Sequence, residues 1–570
     1  MAQQYSIIEY NTIIETNPTQ QQHNKTKTKQ KQKPKKKKNP TQTQPIEKYQ
    51  NDVENNELQI NNNEDLRTLN FISQLNVSKL KLSNCYNIEP QLQSDQIREL
   101  TIEECGISSV EGFQLENIKV LNLPGNEVCE LNGDDFPHIR ELDISNNDCD
   151  DISFLESMPK LKKLNMNMNR IDDMSVLEQL LSLEDLDISE TKQGDIDSLK
   201  NLSKLKRLKL FWNDVVNIDV LGKLKNLEDV DVSYNAGVDI SPLMKLQKLV
   251  KLNVSCINLT NFETLLKIHS LKELNLSRNG IKQLDLQQCT QLTSLTLAEN
   301  QLIDVSFIKF LVNLKHLDLS HNTADVEPLS TLIQLTSLNL KDCNLCTLST
   351  LKYLVNLEEL NISDNQIDIT AICCFTKLKI LQLNSCNIRN LSVLKNLNLE
   401  ELGLDENELE NIKDLQYMIG MKKLSLNGCG LYEISIIRLL QKIKYLCLAN
   451  NKIISLSPLA EIKTLSDLDI DSNFVQDLSK IQAHKNYKSY NIGTQQEPTA
   501  ESMKLAIRMD AIDQINIQAR QIRRKIHNLK AVNNIKKESI NMSKSMFNQV
   551  NFANNVIRLF QKLDNNEGCQ

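Results

Sequence analysis

Between residues 51 and 499 the apolar positions follow two periods at once. LKKLNMNMNRI (Leu161 to Ile171), LKELNLSRNGI (Leu271 to Ile281), LEELNISDNQI (Leu357 to Ile367) and IKYLCLANNKI (Ile443 to Ile453) share the form L-x-x-L-x-L-x-x-N-x-I. With the first Leu as position 1, position 9 falls at Asn63, Cys85, Cys105, Asn126, Asn147, Asn169, Thr191, Asn213, Asn235, Ile257, Asn279, Asn300, Asn322, Cys343, Asn365, Cys386, Asn407, Cys429, Asn451 and Asn473. That is 20 copies with a mean spacing of 21.6 residues, and Tyr487, Tyr490 and Ile492 read as a degenerate closing copy. Positions 4 and 6 alternate with polar positions 3, 5 and 7, the period of a strand with one buried face. Each copy therefore predicts one short strand, and stacked copies predict a parallel sheet. Position 9 turns inward, where an Asn side chain can satisfy backbone groups left unpaired by the turn.

The second half of each copy has a different beat. Gly237, Ile240, Leu243, Leu246 and Leu249, or Ile453, Leu456, Leu459, Ile462 and Leu465, place an apolar residue at every third position. That spacing predicts a 3₁₀-like or extended turn rather than an α-helix. Pro242, Pro328 and Pro458 fall at one point of this segment, where proline opens a helical turn without losing a needed donor.

The signature resembles the leucine-rich repeat, whose pattern allows Asn or Cys at position 9; 13 of the 20 are Asn and five are Cys. The 21 to 22 residue period and the DISPL wording (Asp239 to Leu243) resemble the SDS22-like subfamily, which includes the bacterial internalins. The resemblance implies an α/β solenoid, a curved horseshoe with a parallel sheet on its concave face and 3₁₀ or extended turns on its convex face. Twenty strands at about 4.8 Å spacing give an arc of roughly 95 Å. No copy buries its own apolar edge, so stability comes from stacking and the ends need caps.

Both ends differ from the array. Residues 1–50 are polar and lysine-dense from Lys25 to Lys38, a composition that buries too little surface to order itself. PKKKK (Pro34 to Lys38) looks like a short import signal, but a solvated charge run is the simpler reading. Residues 500–570 turn helical. Ile512, Ile515, Ala519, Ile522, Ile526 and Leu529 share one face, as do Met546, Val550, Ala553, Ile557 and Phe560, which predicts C-terminal amphipathic helices forming a docked hairpin or a small dimerisation device, too short for a long coiled coil. Arg520, Arg523, Arg524 and Lys525 make the first of them basic. IQARQIRR (Ile517 to Arg524) resembles an IQ motif, except that its basic residue arrives one place late, at Arg523; a capping helix with a solvated face is the plainer account.

Composition excludes several function classes. In 570 residues there are 25 aromatics and 14 Gly, so Leu and Ile must build the core. There is no signal-like start and no run of about 18 apolar residues, which leads to the expectation of a soluble intracellular protein, cytoplasmic rather than nuclear, with no membrane span. The 14 cysteines are then free thiols. Phosphate-binding loops, kinase motifs, the G-x-S-x-G elbow and the H-E-x-x-H helix are missing from the sequence. No enzyme activity, cofactor, metal or small-molecule substrate is expected. Cys343-x-x-Cys346 has ligand spacing, but Cys343 is a position 9 residue with no second pair at zinc-site distance. Of the adjoining Cys373 and Cys374, at least one is expected in the core. His316 and His321 sit on or beside one strand and need no metal.

Charge then divides the chain. The net charge of -7 sums residues 1–50 at +7, 51–499 at -20 and 500–570 at +6. Positions 3, 5, 7 and 8, the solvent side of the strands, hold 23 Asp or Glu against nine Lys or Arg. Clusters include Glu99, Glu103 and Glu104; Asp185, Asp187 and Glu190; Glu401, Asp405 and Glu406; and Asp467, Asp469 and Asp471. Position 2 leans basic, ten against four. One patch differs in kind: Phe211 and Trp212 at positions 7 and 8, Tyr234 at position 8 of the next copy, and Arg207 and Lys209 on the first strand, flanked by Asp185, Asp187, Asp229 and Asp231. Aromatics and Arg are the usual anchors of interfaces, so these nine residues are the candidate partner-binding site, with Trp212 and Tyr234 either stacking or forming one continuous aromatic surface. The reading is a non-catalytic scaffold binding a protein on its concave face. Some SDS22-like proteins regulate protein phosphatases; their contact residues do not transfer to an array about twice as long. The alternative is a nuclear or nucleic-acid-associated adaptor working through its basic tails, with no sequence-specific nucleic-acid contact expected from a lysine run without interleaved aromatics.

Overall fold

The computed structural model describes residues 49–50, 52–61, 69–89, 91–475, 477–479, 489–493, 495 and 522. Apart from Ile522, the expected helices of residues 500–570, like the lysine-dense start, lie outside the described residues. Within them, one strand arises from each copy at positions 3 to 5, as in Asp185–Asp187, Arg207–Lys209 and Asp229–Asp231. The strands join in a single 21-stranded sheet running from Glu57–Asn61 to Ser489–Asn491. Pairing is parallel and each strand lies beside that of the next copy, so equivalent positions line up in columns: Asp185, Arg207, Asp229 and Lys251 in one, Asp187, Lys209, Asp231 and Asn253 in another.

Behind the sheet the Leu and Ile positions form one continuous buried core from Tyr49 to Val475. The second half of most copies makes a short 3₁₀ turn, for example Asp219–Lys223 and Ser306–Phe310. Three such turns carry proline in their first residues: Ser241–Lys245, Glu327–Thr331 and Ser457–Glu461. The stacked copies thus put the sheet on one side of the core and the turns on the other. Three segments depart from the expected 3₁₀ turn. Gln91–Gln93 and Gly112–Gln114 pair as a second, two-stranded sheet, and Glu263–Leu266 is a single α-helical turn. At the N-terminal end Tyr49 stacks on Phe71 at 5.1 Å and closes the apolar edge there.

Position 9 carries the array's internal wiring. Asn235 Nδ2 donates to Leu210 O at 2.8 Å, Val232 O at 3.0 Å and Ser233 O at 3.1 Å, while its Oδ1 accepts from the backbone N–H groups of Asn213 and Val215 at 3.0 and 2.8 Å. One buried side chain thus satisfies five backbone groups across two copies. Cysteines at this position keep the donor half of the scheme: Cys343 Sγ reaches Leu319 O at 3.2 Å. Burial pushes the Cys343 thiol up to about 11, as suits a structural rather than a reactive thiol. Cys346 is exposed, so the two residues of that motif do not share an environment. The expectation for Cys373 and Cys374 is corrected: Cys373 is exposed and Cys374 half-buried, because Ile372 of the turn Thr370–Cys374 and Phe375 just after it take the inward positions.

Candidate functional site

Around the aromatic patch the sheet's outer edge follows a local rule that the patch itself breaks. In most copies near it, an Asp or Asn at position 5 accepts the N–H of a Ser at position 7 and closes the turn. Asp143 serves Ser145 at 2.9 Å, Asp187 serves Ser189 at 3.1 Å, Asp231 serves Ser233 at 2.9 Å, Asn253 serves Ser255 at 3.1 Å and Asn275 serves Ser277 at 3.0 Å. Asp231 also accepts Asn253 Nδ2 at 2.8 Å. Several acids counted as face charge are therefore turn-closing groups, which the tally by position did not separate. In the copy between Asp187 and Asp231 the two places hold Lys209 and Phe211. Lys cannot accept, and Phe offers no hydroxyl.

Position 8 follows immediately and is left-handed in every copy from Asn84 to Ser472, with φ between 50 and 65°. Gly125 and Gly428 are the glycines in that column. For a bulky L-residue this backbone is strained by about 1–2 kcal/mol. Trp212 adopts it at φ 54 and Tyr234 at φ 58, so the chain places two large rings where the backbone favours none.

The structure brings the three rings together. Phe211 lies edge-on to both neighbours, with its centroid 6.0 Å from Trp212 at 84° and 5.1 Å from Tyr234 at 68°. Trp212 and Tyr234 are 6.2 Å apart and tilted by 32°. They do not stack face to face; the three centroids form a near-equilateral triangle, each ring against the other two, and the result is one continuous aromatic surface. Trp212 is 59% exposed. Tyr234 OH accepts from Arg278 Nη1 at 2.9 Å, and Arg278 Nη2 reaches Glu299 Oε1 at 2.6 Å.

The charged residues below the rings sort into pairs. Arg207 donates from Nε and Nη2 to Asp185 Oδ2 at 2.8 and 2.6 Å, which raises the guanidinium pKa. Lys209 Nζ lies 3.0 Å from Asp187 Oδ2. Burial opposes its charge, but Asp187, Asp185 and Asp231 outweigh that and raise its pKa. Asp229 makes no ion pair among the described residues; partial burial raises its pKa, with Lys251 opposing. Asp229 and Asp231, with Lys209, Lys251 and Glu273, line a shallow depression of about 300 Å³. All nine candidate residues thus fall in one neighbourhood. Arg278 went unread in the sequence because its side chain spans two copies to reach Tyr234; reading the position 8 column as Glu190, Trp212, Tyr234, Cys256, Arg278 and Glu299 was the signal for it.

Elsewhere, His316 lies exposed on its strand, and His321 Nδ1 is 3.0 Å from Asp342 Oδ2. Among the described residues no group of three or more His, Cys, Asp or Glu is placed to hold a metal, and no helix is long and apolar enough to cross a membrane.

The repeat geometry defines a class. A family model described as leucine-rich repeats in two copies matches residues 137–179. No curated protein matches the chain. Among solved structures, TLR13 in its complex with ssRNA13 is similar at 20% identity and a TM-score of 0.50, over 77% of this chain and 75% of that one. A leucine-rich repeat protein from Leptospira interrogans is 22% identical with a TM-score of 0.44, over 64% of this chain and 93% of its own. An internalin from Listeria monocytogenes is 21% identical with a TM-score of 0.33, over 64% and 89%. Residues 137–179 thus match leucine-rich repeats, and the fold of the described residues is that of a leucine-rich repeat solenoid.

Proposed function

We propose that this protein is a non-catalytic scaffold that binds a protein partner on the sheet face of its solenoid, with Phe211, Trp212 and Tyr234 as the anchor. The observation that carries the reading is the broken rule at Lys209 and Phe211 beside the exposed, left-handed Trp212. Local sequence serves the fold in neighbouring copies and abandons it here, and such departures mark functional positions. Exposed aromatics with adjacent arginine are also what interface hot spots are made of.

The finer reading is an SDS22-like protein, supported by the 21 to 22 residue period and the DISPL segment, with a regulatory role in the manner of phosphatase regulators of that group. An intracellular, cytoplasmic setting fits the free thiols. The nucleic-acid alternative is weaker, because an acidic sheet repels a phosphate backbone. Affinity capture with the full chain, compared with Trp212→Ala and Tyr234→Ala, tests the patch. Loss of captured proteins in both variants is expected; an unchanged set of partners overturns it.

A further inference from the structure

The position 8 column contains a worked example of how this surface holds a cation. On one side of the aromatic trio, the guanidinium of Arg278 lies between an aromatic hydroxyl and a carboxylate, 2.9 Å from Tyr234 OH and 2.6 Å from Glu299 Oε1. On the other side Trp212 and Glu190 stand at position 8 of adjacent copies, an aromatic face and an acid one step apart in the column, where Tyr234 and Glu299 are three steps apart and Arg278 bridges them from between. Their backbones are tied together, since Glu190 N–H donates to Phe211 O at 2.8 Å. Yet none of the described residues brings a cation to them. Glu190 has neither an ion pair nor a side-chain hydrogen bond among the described residues, and Trp212 keeps most of its surface open.

The nearby bases are not available to fill the role. Arg207 is committed to Asp185 by two hydrogen bonds and Lys209 to Asp187. Asp229 and Glu190 have no ion pair among the described residues and Asp231 closes a turn, while the other nearby cations are held elsewhere, Arg278 between Tyr234 and Glu299 and Lys251 beside Glu273. Glu190 is partly shielded: burial, then the charge of Asp187, raise its pKa. A carboxylate so placed gains from an incoming positive charge more than a fully hydrated one does. The open face of an indole is the best aromatic surface for a cation.

We infer that Trp212 and Glu190 together receive the guanidinium of an arginine on a basic segment of the protein partner, laid across the indole and hydrogen-bonded to the carboxylate. This inference deepens the interaction reading above and rests on it. Arginine fits better than lysine because its planar fork stacks on the ring while still donating to a carboxylate. The segment would continue over the depression lined by Asp229, Asp231 and Glu273 together with Lys209 and Lys251, where Asp229 is the carboxylate left without an ion pair among the described residues.

The molecule carries its own reporter, for Trp212 is the chain's one tryptophan. The full chain is titrated with a short peptide of alternating arginine and serine, free of aromatics, while indole emission is followed. Two control peptides replace arginine by citrulline, its neutral isostere, or by aspartate. Saturable change in Trp212 emission with the arginine peptide alone is expected. Glu190→Gln should weaken binding about tenfold, the scale of one charge-assisted contact. Asp467→Asn, in an acidic cluster far along the sheet, should shift it less than about twofold if the contact is local rather than general attraction. Equal binding of the citrulline peptide, or equal effects of the two substitutions, would overturn the inference. Replacing the lysines between Lys25 and Lys38 by glutamine in the full chain tests an internal occupant. A large gain in affinity would give the site to the chain's own segment and overturn the assignment to a partner. Capture separates this inference from the reading beneath it. If Trp212→Ala loses partners that Glu190→Gln retains, the cation contact fails and the interaction surface stands; if Trp212→Ala loses none, the surface itself falls.

Discussion

Two side chains of similar place in the sequence do opposite work at the residue scale. Asn235 exists for the fold: its amide satisfies five backbone groups of two copies. Asn235→Ala strands those groups in the interior, and a loss of about 2–4 kcal/mol is expected. Asn235→Cys should lose less, because the thiol keeps the donor contacts that Cys429 makes to Leu404 O and Asn427 O, at 3.1 and 3.6 Å. A long array does not unfold in one step, so the measurement is local: hydrogen exchange at the amides of Asn213 and Val215, which should deprotect first. Trp212 works against the fold. Its left-handed backbone costs about 1–2 kcal/mol, against about 0.5–1.5 kcal/mol returned by edge contacts with its ring. Trp212→Gly should therefore leave stability within about 1 kcal/mol of the parent, while Trp212→Ala retains the strain, loses the ring contacts and is the less stable of the two. A glycine variant clearly less stable than the alanine variant would show that the ring belongs to the fold.

At the element scale the stacking of strands turns sequence columns into electrostatic ladders. Glu184 sits between Lys162 and Lys206, with a carboxylate oxygen 2.8 Å from each ammonium. Hydrogen bonds from Lys162, then Lys206, hold its pKa down to about 2. A folded value below the unfolded one means that the contribution is complete above the ordinary carboxylate range and is lost as pH falls from about 4.5 toward 2. Glu184→Gln should flatten that part of the acid limb in thermal unfolding at low salt, and the difference should vanish at high salt because the ladder is exposed. An identical acid limb in parent and variant would remove the ladder from the account. Such columns were legible in the sequence, since period and register fix which residues become neighbours. So were the strands and the Asn interior, because Leu and Asn recur too regularly to build anything else. The pairing of Gln91–Gln93 with Gly112–Gln114 was not, for QLQ and GFQ carry no distinctive beat. Nor was the triangle of rings that Phe211 completes, because ring orientation depends on packing across copies. The position 5 acids misled in a specific way: Asp231 reads as face charge and is in fact closing a turn on Ser233.

At the scale of the whole molecule, charge and aromatic surface should control different steps of binding. Residues 51–499 carry -20 and the two flanking segments +7 and +6, so the field around the solenoid attracts a basic partner from a distance while its anchor acts only on contact. Long-range attraction speeds encounter and is screened by salt; a desolvated contact sets how long the complex lasts. Raising ionic strength from about 0.05 M to about 0.5 M shortens the screening length to a few ångströms. The association rate of a captured basic partner should then fall by about tenfold, with the dissociation rate moving less than about twofold. Trp212→Ala should do the reverse, speeding dissociation by about tenfold or more and leaving association unchanged. Surface-immobilised kinetics on the full chain resolve both rates. If salt accelerated dissociation as strongly as it slowed association, the acids would lie inside the contact rather than around it. The aromatic trio would then be one part of a charged interface instead of its anchor.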